Sequence, residues 1–61
     1  MRYRIRIVTK NDTLILNDLT EMDTVEALAD AYDCIIKEKE YVTFKDFATV
    51  SALDLTEFYV E

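Results

Sequence analysis

The chain has 61 residues, of which 51% are hydrophobic, and its 13 acidic and seven basic side chains give a formal net charge of −6. A chain this short has room for one thin core, so we expect a single domain over residues 1–61. The acidic balance disfavours direct nucleic-acid binding, which requires lysines and arginines against phosphates. No apolar run approaches the roughly 20 residues of a membrane span. With one cysteine and no signal-like start, we expect a soluble protein of the cytoplasm.

The first two predicted elements are strands joined by a tight turn. Residues 2–9, "RYRIRIVT", alternate between apolar and basic side chains, which is typical of a strand with one solvent-exposed face. Asn11 and Asp12 tolerate the left-handed conformation that a two-residue turn requires. With this turn the hairpin places Ile7 opposite Leu16 in the following "TLILN".

A helix is predicted next, capped by Thr20 or Asp23 and ending near residues 37–40. At about 100° per residue, its large apolar side chains form one face, which we expect to pack on the sheet. This face comprises Val25, Leu28, Ala29, Tyr32, Ile35 and Ile36.

Three strand-like segments follow, "YVTFKD", "FATVSA" and "LTEFYVE". The predicted order is ββαβββ, or ββαββ if two of these segments merge. The predicted fold class is therefore α+β, a small antiparallel sheet of four to five strands with one amphipathic helix packed on one face.

Acidic side chains recur on the helix at spacings of three and four residues and form one stripe: Asp23, Glu26, Asp30 and Asp33. A metal site needs oxygens that converge, whereas this row spreads over roughly 15 Å, so we expect no metal and no cofactor. Carboxylates about 5 to 6 Å apart could instead imitate nucleic-acid phosphates. The third interpretation is a solvated face with an ion pair between Asp33 and Lys37.

Small side chains occupy another flank of the helix, at Ala27, Ala31 and Cys34. Because small residues let a second backbone approach closely, this flank is a candidate partner-binding surface; the alternative is that alanine is simply a good helix former. Tyr41 and Tyr59 are further candidates, since tyrosine offers a large contact area at modest entropy cost.

Three arginines, Arg2, Arg4 and Arg6, share one face of the first strand. They could contact phosphates or pair across strands with Glu57, Glu61 or Asp54. The chain has no histidine, glycine-rich loop or Cys-x-x-Cys pair, so we expect no enzyme and assign no catalytic residue.

The segment "YVTFKDFATVSALDLTEFYVE" resembles short proteins from Gram-positive bacteria and their prophages. The likeness is carried by Thr43, Phe44, Asp46, Val50, Phe58 and Val60. It implies a small accessory protein of phage type. The thin core, the small-residue helix flank and the tyrosines favour a non-catalytic protein-interaction module, a homodimer that binds a host or phage protein. The alternative function is an acidic nucleic-acid mimic that inhibits a DNA- or RNA-processing enzyme.

Overall fold

Five strands and one helix make up the computed structural model, which describes all 61 residues. They are β1 (Tyr3–Thr9), β2 (Thr13–Leu19), α1 (Glu21–Ile36), β3 (Tyr41–Phe44), β4 (Ala48–Ser51) and β5 (Leu55–Val60). The α+β class and the order ββαβββ are confirmed. The single sheet is wrong, because the strands form a three-stranded antiparallel sheet in the order β2-β1-β5 and a separate β3–β4 hairpin.

The β1–β2 hairpin turns one residue earlier than predicted. The amide of Thr9 donates to the carbonyl of Asp12 at 2.8 Å, which makes Lys10 and Asn11 the two loop residues. The Thr9 hydroxyl supports this turn by accepting from the Asp12 amide at 2.9 Å. Ile7 consequently pairs with Leu14, so the predicted register is wrong by two residues. A shift of two leaves the paired side chains between the turn and Leu16 on their predicted faces.

A bulge in β2 carries Leu19 into the core. Tyr3 pairs with Leu19 and Ile5 with Leu16, so β2 has one extra residue between these pairs. Asp18 occupies the left-handed region there, with φ of 61°. The extra residue reverses the alternation at the end of β2. Leu19 therefore becomes buried opposite Tyr3 and leads the chain toward α1.

Both ends of α1 are closed by local hydrogen bonds. Thr20 is the N-cap: its hydroxyl accepts from the Asp23 amide at 3.0 Å, and the Asp23 carboxylate accepts from the Thr20 amide at 3.4 Å. At the other end Glu38 adopts φ of 54°, which lets the Lys39 amide donate to the Cys34 carbonyl at 3.0 Å. This closure usually requires glycine, and here glutamate takes the left-handed position.

The buried face of α1 differs from the predicted one. The side chains of Thr24, Ala27, Ala31 and Cys34 are buried, and the two alanines are 0% exposed. Much of the predicted face is open to solvent: Val25 is 58% exposed and Ile36 is 78% exposed. The physical reason is space, because small side chains allow the hairpin strand β3 to lie close against the helix and to bury Phe44 and Val42 fully.

The core lies between α1, the inner face of β1 and the hairpin. Nine buried side chains form it: Ile5, Ile7, Leu19, Ala27, Ala31, Cys34, Val42, Phe44 and Val50. On the opposite face of the sheet, the Arg6 guanidinium donates two hydrogen bonds to Glu61 Oε2, at 3.1 and 2.8 Å. Cross-strand pairing of the arginine face is thus confirmed for Arg6 and Glu61. The only helix is too short and too polar to traverse a bilayer.

Candidate functional site

The acidic stripe of α1 binds the turn of the β3–β4 hairpin. Lys45, the first residue of that turn, extends its ammonium to Glu26 Oε1 at 2.6 Å and to Asp23 Oδ1 at 3.3 Å. Hydrogen bonds to Glu26 and Asp23 raise the pKa of Lys45. The pKa of Asp23 is lowered, first by its hydrogen bonds with Thr20 and then by Lys45. The first two carboxylates of the stripe therefore serve the helix cap and the hairpin.

Asp30 fixes the same turn through its backbone. Its Oδ2 atom accepts from the Thr43 hydroxyl at 2.7 Å and from the Lys45 amide at 3.0 Å. Because the Thr43 proton points to Asp30, the Cys34 thiol is the donor in its 3.4 Å contact with Thr43 Oγ1. These bonds hold Lys45 in the left-handed region, at φ of 57°, where a side chain with a Cβ is unfavourable. Asp30 thus attaches the hairpin to the helix.

Asp33, the last carboxylate of the stripe, pairs with Lys37 one turn later at 3.2 Å, as the sequence predicted. Every carboxylate of the stripe therefore has a partner within the chain. The structure contains no cluster of three or more Asp, Glu, Cys or His side chains suited to hold a metal ion. The two lysines compensate half of the stripe's four charges, and three of its carboxylates attach the hairpin, which leaves the stripe a weaker match to a row of free phosphates.

The small-residue flank is not available to a partner. Ala27, Ala31 and Cys34 face the chain's own hairpin and sheet, and Cys34 is only 3% exposed. The prediction of a docking surface there is wrong, because the close approach that small residues permit is already taken by β3. Tyr41 and Tyr59 are exposed, but they lie on different sheets, in β3 and β5. The structure therefore leaves both tyrosines accessible without showing a shared role.

An apolar surface lies on the outside of α1, and all of its residues except Met22 were predicted to pack on the sheet. Five apolar residues alternate at spacings of three and four, and all are exposed. We call this surface the outer seam; it comprises Met22, Val25, Ala29, Tyr32 and Ile36. The spacing is that of the a and d positions of a heptad, which pack against another helix. The spacing can be read from the sequence. It does not show whether this face of the helix packs on the chain's own sheet or points away from it.

One flank of the outer seam continues onto the sheet. The Tyr32 ring lies 5.1 Å from the Phe58 ring, and Phe58 in turn meets Phe44 of the core edge-on at 5.1 Å. Aromatic pairs at this separation add to the energy of burial. Tyr32 is consequently held in place where the outer seam meets the sheet, although 54% of it remains exposed.

A groove of about 430 Å³ lies beside this flank, between the end of α1 and strand β5. Its apolar lining is formed by Ile35, Val42, Ala52, Leu55 and Phe58. Glu38, Lys39, Thr56 and Glu57 complete the lining. The volume is in the range of ligand sites in proteins, about 300 to 1,000 Å³.

Comparison with known proteins adds no relatives: the chain matches no protein-family model, no curated protein and no solved structure. The candidate surfaces therefore rest on the geometry of this chain alone. Two of them remain open for binding, the outer seam and the groove beside β5.

Proposed function

We propose that this protein is a small non-catalytic interaction module that acts as a homodimer through the outer seam of α1. The observation that carries the proposal is the exposure of five apolar side chains at heptad spacing along one helix. Single exposed apolar residues are ordinary, whereas a continuous apolar surface marks a place where another protein binds. A second copy of the chain supplies a matching apolar surface, because it carries the same seam.

The chemistry of the seam suits a symmetric helix pair. Ala29 lies at its centre, and its small side chain lets two helix backbones approach where they cross. Val25 and Tyr32 flank the crossing on either side, while Met22 and Ile36 lie at the ends. A two-fold axis through Ala29 would place the same surface of each copy against that of the other, as an isologous interface requires.

The helix dipoles favour the antiparallel orientation of the two helices. The first turn of α1 carries Glu21 and Asp23, whereas residues 37–40 alternate lysine and glutamate and have no net charge. Antiparallel packing keeps the acidic first turn of one copy away from the same turn of the other. It also opposes the two helix dipoles, which is favourable.

The size of the seam sets the expected affinity. From Met22 to Ile36 the helix rises about 21 Å. A standard interface buries about 800 Å² on each partner, which is about one fifth of the 4224 Å² surface of this chain. One helix face offers less than that, so the dimer belongs to the weak class. We expect a dissociation constant of about 1 to 100 µM.

Sedimentation equilibrium with a matched pair of variants tests the proposal. Ile36→Lys and Leu53→Lys remove aliphatic side chains of nearly equal exposure, 78% and 81%, and change the net charge equally. Only Ile36 belongs to the seam. The dimer should therefore weaken at least tenfold in Ile36→Lys and stay unchanged in Leu53→Lys. A wild-type chain that stays monomeric at about 500 µM, or equal effects of the two substitutions, would refute the homodimer.

Salt separates this function from the acidic-mimic alternative. An apolar seam is insensitive to ionic strength, whereas a carboxylate row bound in a basic groove is screened by it. The alternative has weaker support, because Asp23, Glu26 and Asp30 are engaged with the hairpin and Asp33 with Lys37. Self-association that changes less than twofold between 50 and 500 mM NaCl agrees with the seam, and a steep loss contradicts it.

A further inference from the structure

Strand β5 is an edge strand with unused backbone groups. Its only partner is β1, and the Glu61 amide donates to the Arg4 carbonyl at 2.9 Å. Hydrogen-bonded pairs alternate along an antiparallel ladder, so in the same register Tyr59 and Glu57 also bond β1. The amides and carbonyls of Phe58 and Val60 therefore point away from β1. No other strand pairs with them.

The groove of about 430 Å³ runs beside this free edge. Phe58 and Leu55 belong to both the strand and the groove, and Ile35 and Val42 form the opposite wall. An edge with free backbone groups next to apolar pockets is the arrangement by which proteins add an extended peptide as a further strand. The backbone bonds supply affinity, and the pockets select every second side chain.

We infer that the groove binds an extended peptide segment of alternating apolar and basic residues, added as a strand to β5. The apolar side chains of such a peptide enter the groove between Ile35, Val42 and Phe58. The intervening side chains point to the outer face of the sheet, where Glu57 lies on the same side as Arg6.

Charge complementarity determines the basic character of the peptide. Glu38 and Glu57 are among the lining residues, Glu57 with its side chain toward the outer face of the sheet, and neither carboxylate has an ion-pair partner in the chain. Lys39 is the one cation of the lining, so the groove has a net negative charge, like the chain as a whole. The groove shares no lining residue with the outer seam, although Tyr32 of the seam contacts Phe58, and the inference does not depend on dimer formation.

Fluorescence anisotropy with a labelled hexapeptide of alternating lysine and valine tests the inference. Two further peptides carry backbone N-methyl groups, one on the lysines and one on the valines. In an added strand only one parity of residues bonds β5, so one of these peptides should bind at least tenfold more weakly than the other. Binding by charge alone would affect both equally, and that result would overturn the inference, as would no binding at 1 mM peptide.

Variants of the protein and amide exchange locate the site. Glu57→Lys should weaken binding about threefold to tenfold, because it reverses one exposed charge contact. Glu40→Lys makes the same charge change outside the groove and should alter binding less than twofold; equal effects of the two variants would contradict the assignment. On peptide addition the amides of Phe58 and Val60 should gain protection from hydrogen exchange. If these amides are protected without peptide, and more so at higher protein concentration, the edge belongs to a second copy and the inference fails.

Discussion

Replacing Asp30 with alanine removes the acceptor of two hydrogen bonds that hold the β3–β4 hairpin on α1. Bonds to a charged group contribute about 1.5 to 3 kcal/mol each, and the lower value applies here because Asp30 is only half-buried. Alanine is the better helix former and returns about 0.5 kcal/mol. The net loss is therefore about 2.5 kcal/mol. A chain of this size has only about 3 to 5 kcal/mol of stability, so the variant should be close to unfolding.

Urea denaturation followed by circular dichroism measures this loss. With a slope of about 1 kcal/mol per molar urea, the midpoint should fall by about 2.5 M. Asp33→Ala is the matched control, since Asp33 lies one turn away and makes only an exposed pair with Lys37. That pair contributes about 0.3 to 0.5 kcal/mol, which the helix propensity of alanine offsets. A loss below about 1 kcal/mol in Asp30→Ala, or equal losses in both variants, would refute the role of Asp30 as the attachment of the hairpin.

Three further predictions follow from the helix. Glu38→Gly should raise the free energy of unfolding by about 0.5 to 1 kcal/mol, because glycine adopts the left-handed C-terminal position without steric cost; an unchanged thermal midpoint would contradict this. Ala31→Leu should overpack the contact with β3 and cost about 1 to 3 kcal/mol in urea, whereas Ala29→Leu, on the exposed outer seam, should cost nothing. The lowered pKa of Asp23 means that the folded chain binds its proton less readily than the unfolded chain. Its contribution to stability is therefore present above about pH 4, where the unfolded carboxyl is ionised, and is lost as the pH falls through the lower folded value. Stability should decline less between pH 4 and pH 2 in Asp23→Asn than in wild type; an equal decline would assign the effect to other carboxyls.

The sequence predicted the elements of this fold better than their contacts. Alternation identified β1, and the parity of the β1–β2 pairing survived although the turn moved to Lys10 and Asn11. This parity, meaning which residues share a face of the sheet, depends only on which residues are apolar. The exact register depends on the turn, and the Thr9 hydroxyl that stabilises it has no strong sequence signature.

The burial of α1 could not be read from hydrophobicity. Apolar residues cover most of its circumference, so periodicity alone identified the acidic stripe but not the side that meets the sheet. Large side chains such as Val25 and Tyr32 suggested the wrong side. The decision depends on β3, whose Thr43 reaches both Cys34 and Asp30 and so draws the hairpin onto the alanine face. Contacts between distant segments of this kind have no local signal in the sequence.

Cys34 gives this chain an intrinsic probe of its own opening. It is the only cysteine, it is 3% exposed, and its thiol donates to Thr43 across the boundary between helix and hairpin. A thiol reagent can reach the sulfur only when that boundary separates, so the rate of labelling measures the fraction of molecules in which α1 and β3 have come apart. Labelling in increasing urea would then show whether the hairpin detaches before the three-stranded sheet unfolds or together with it, without any engineered reporter.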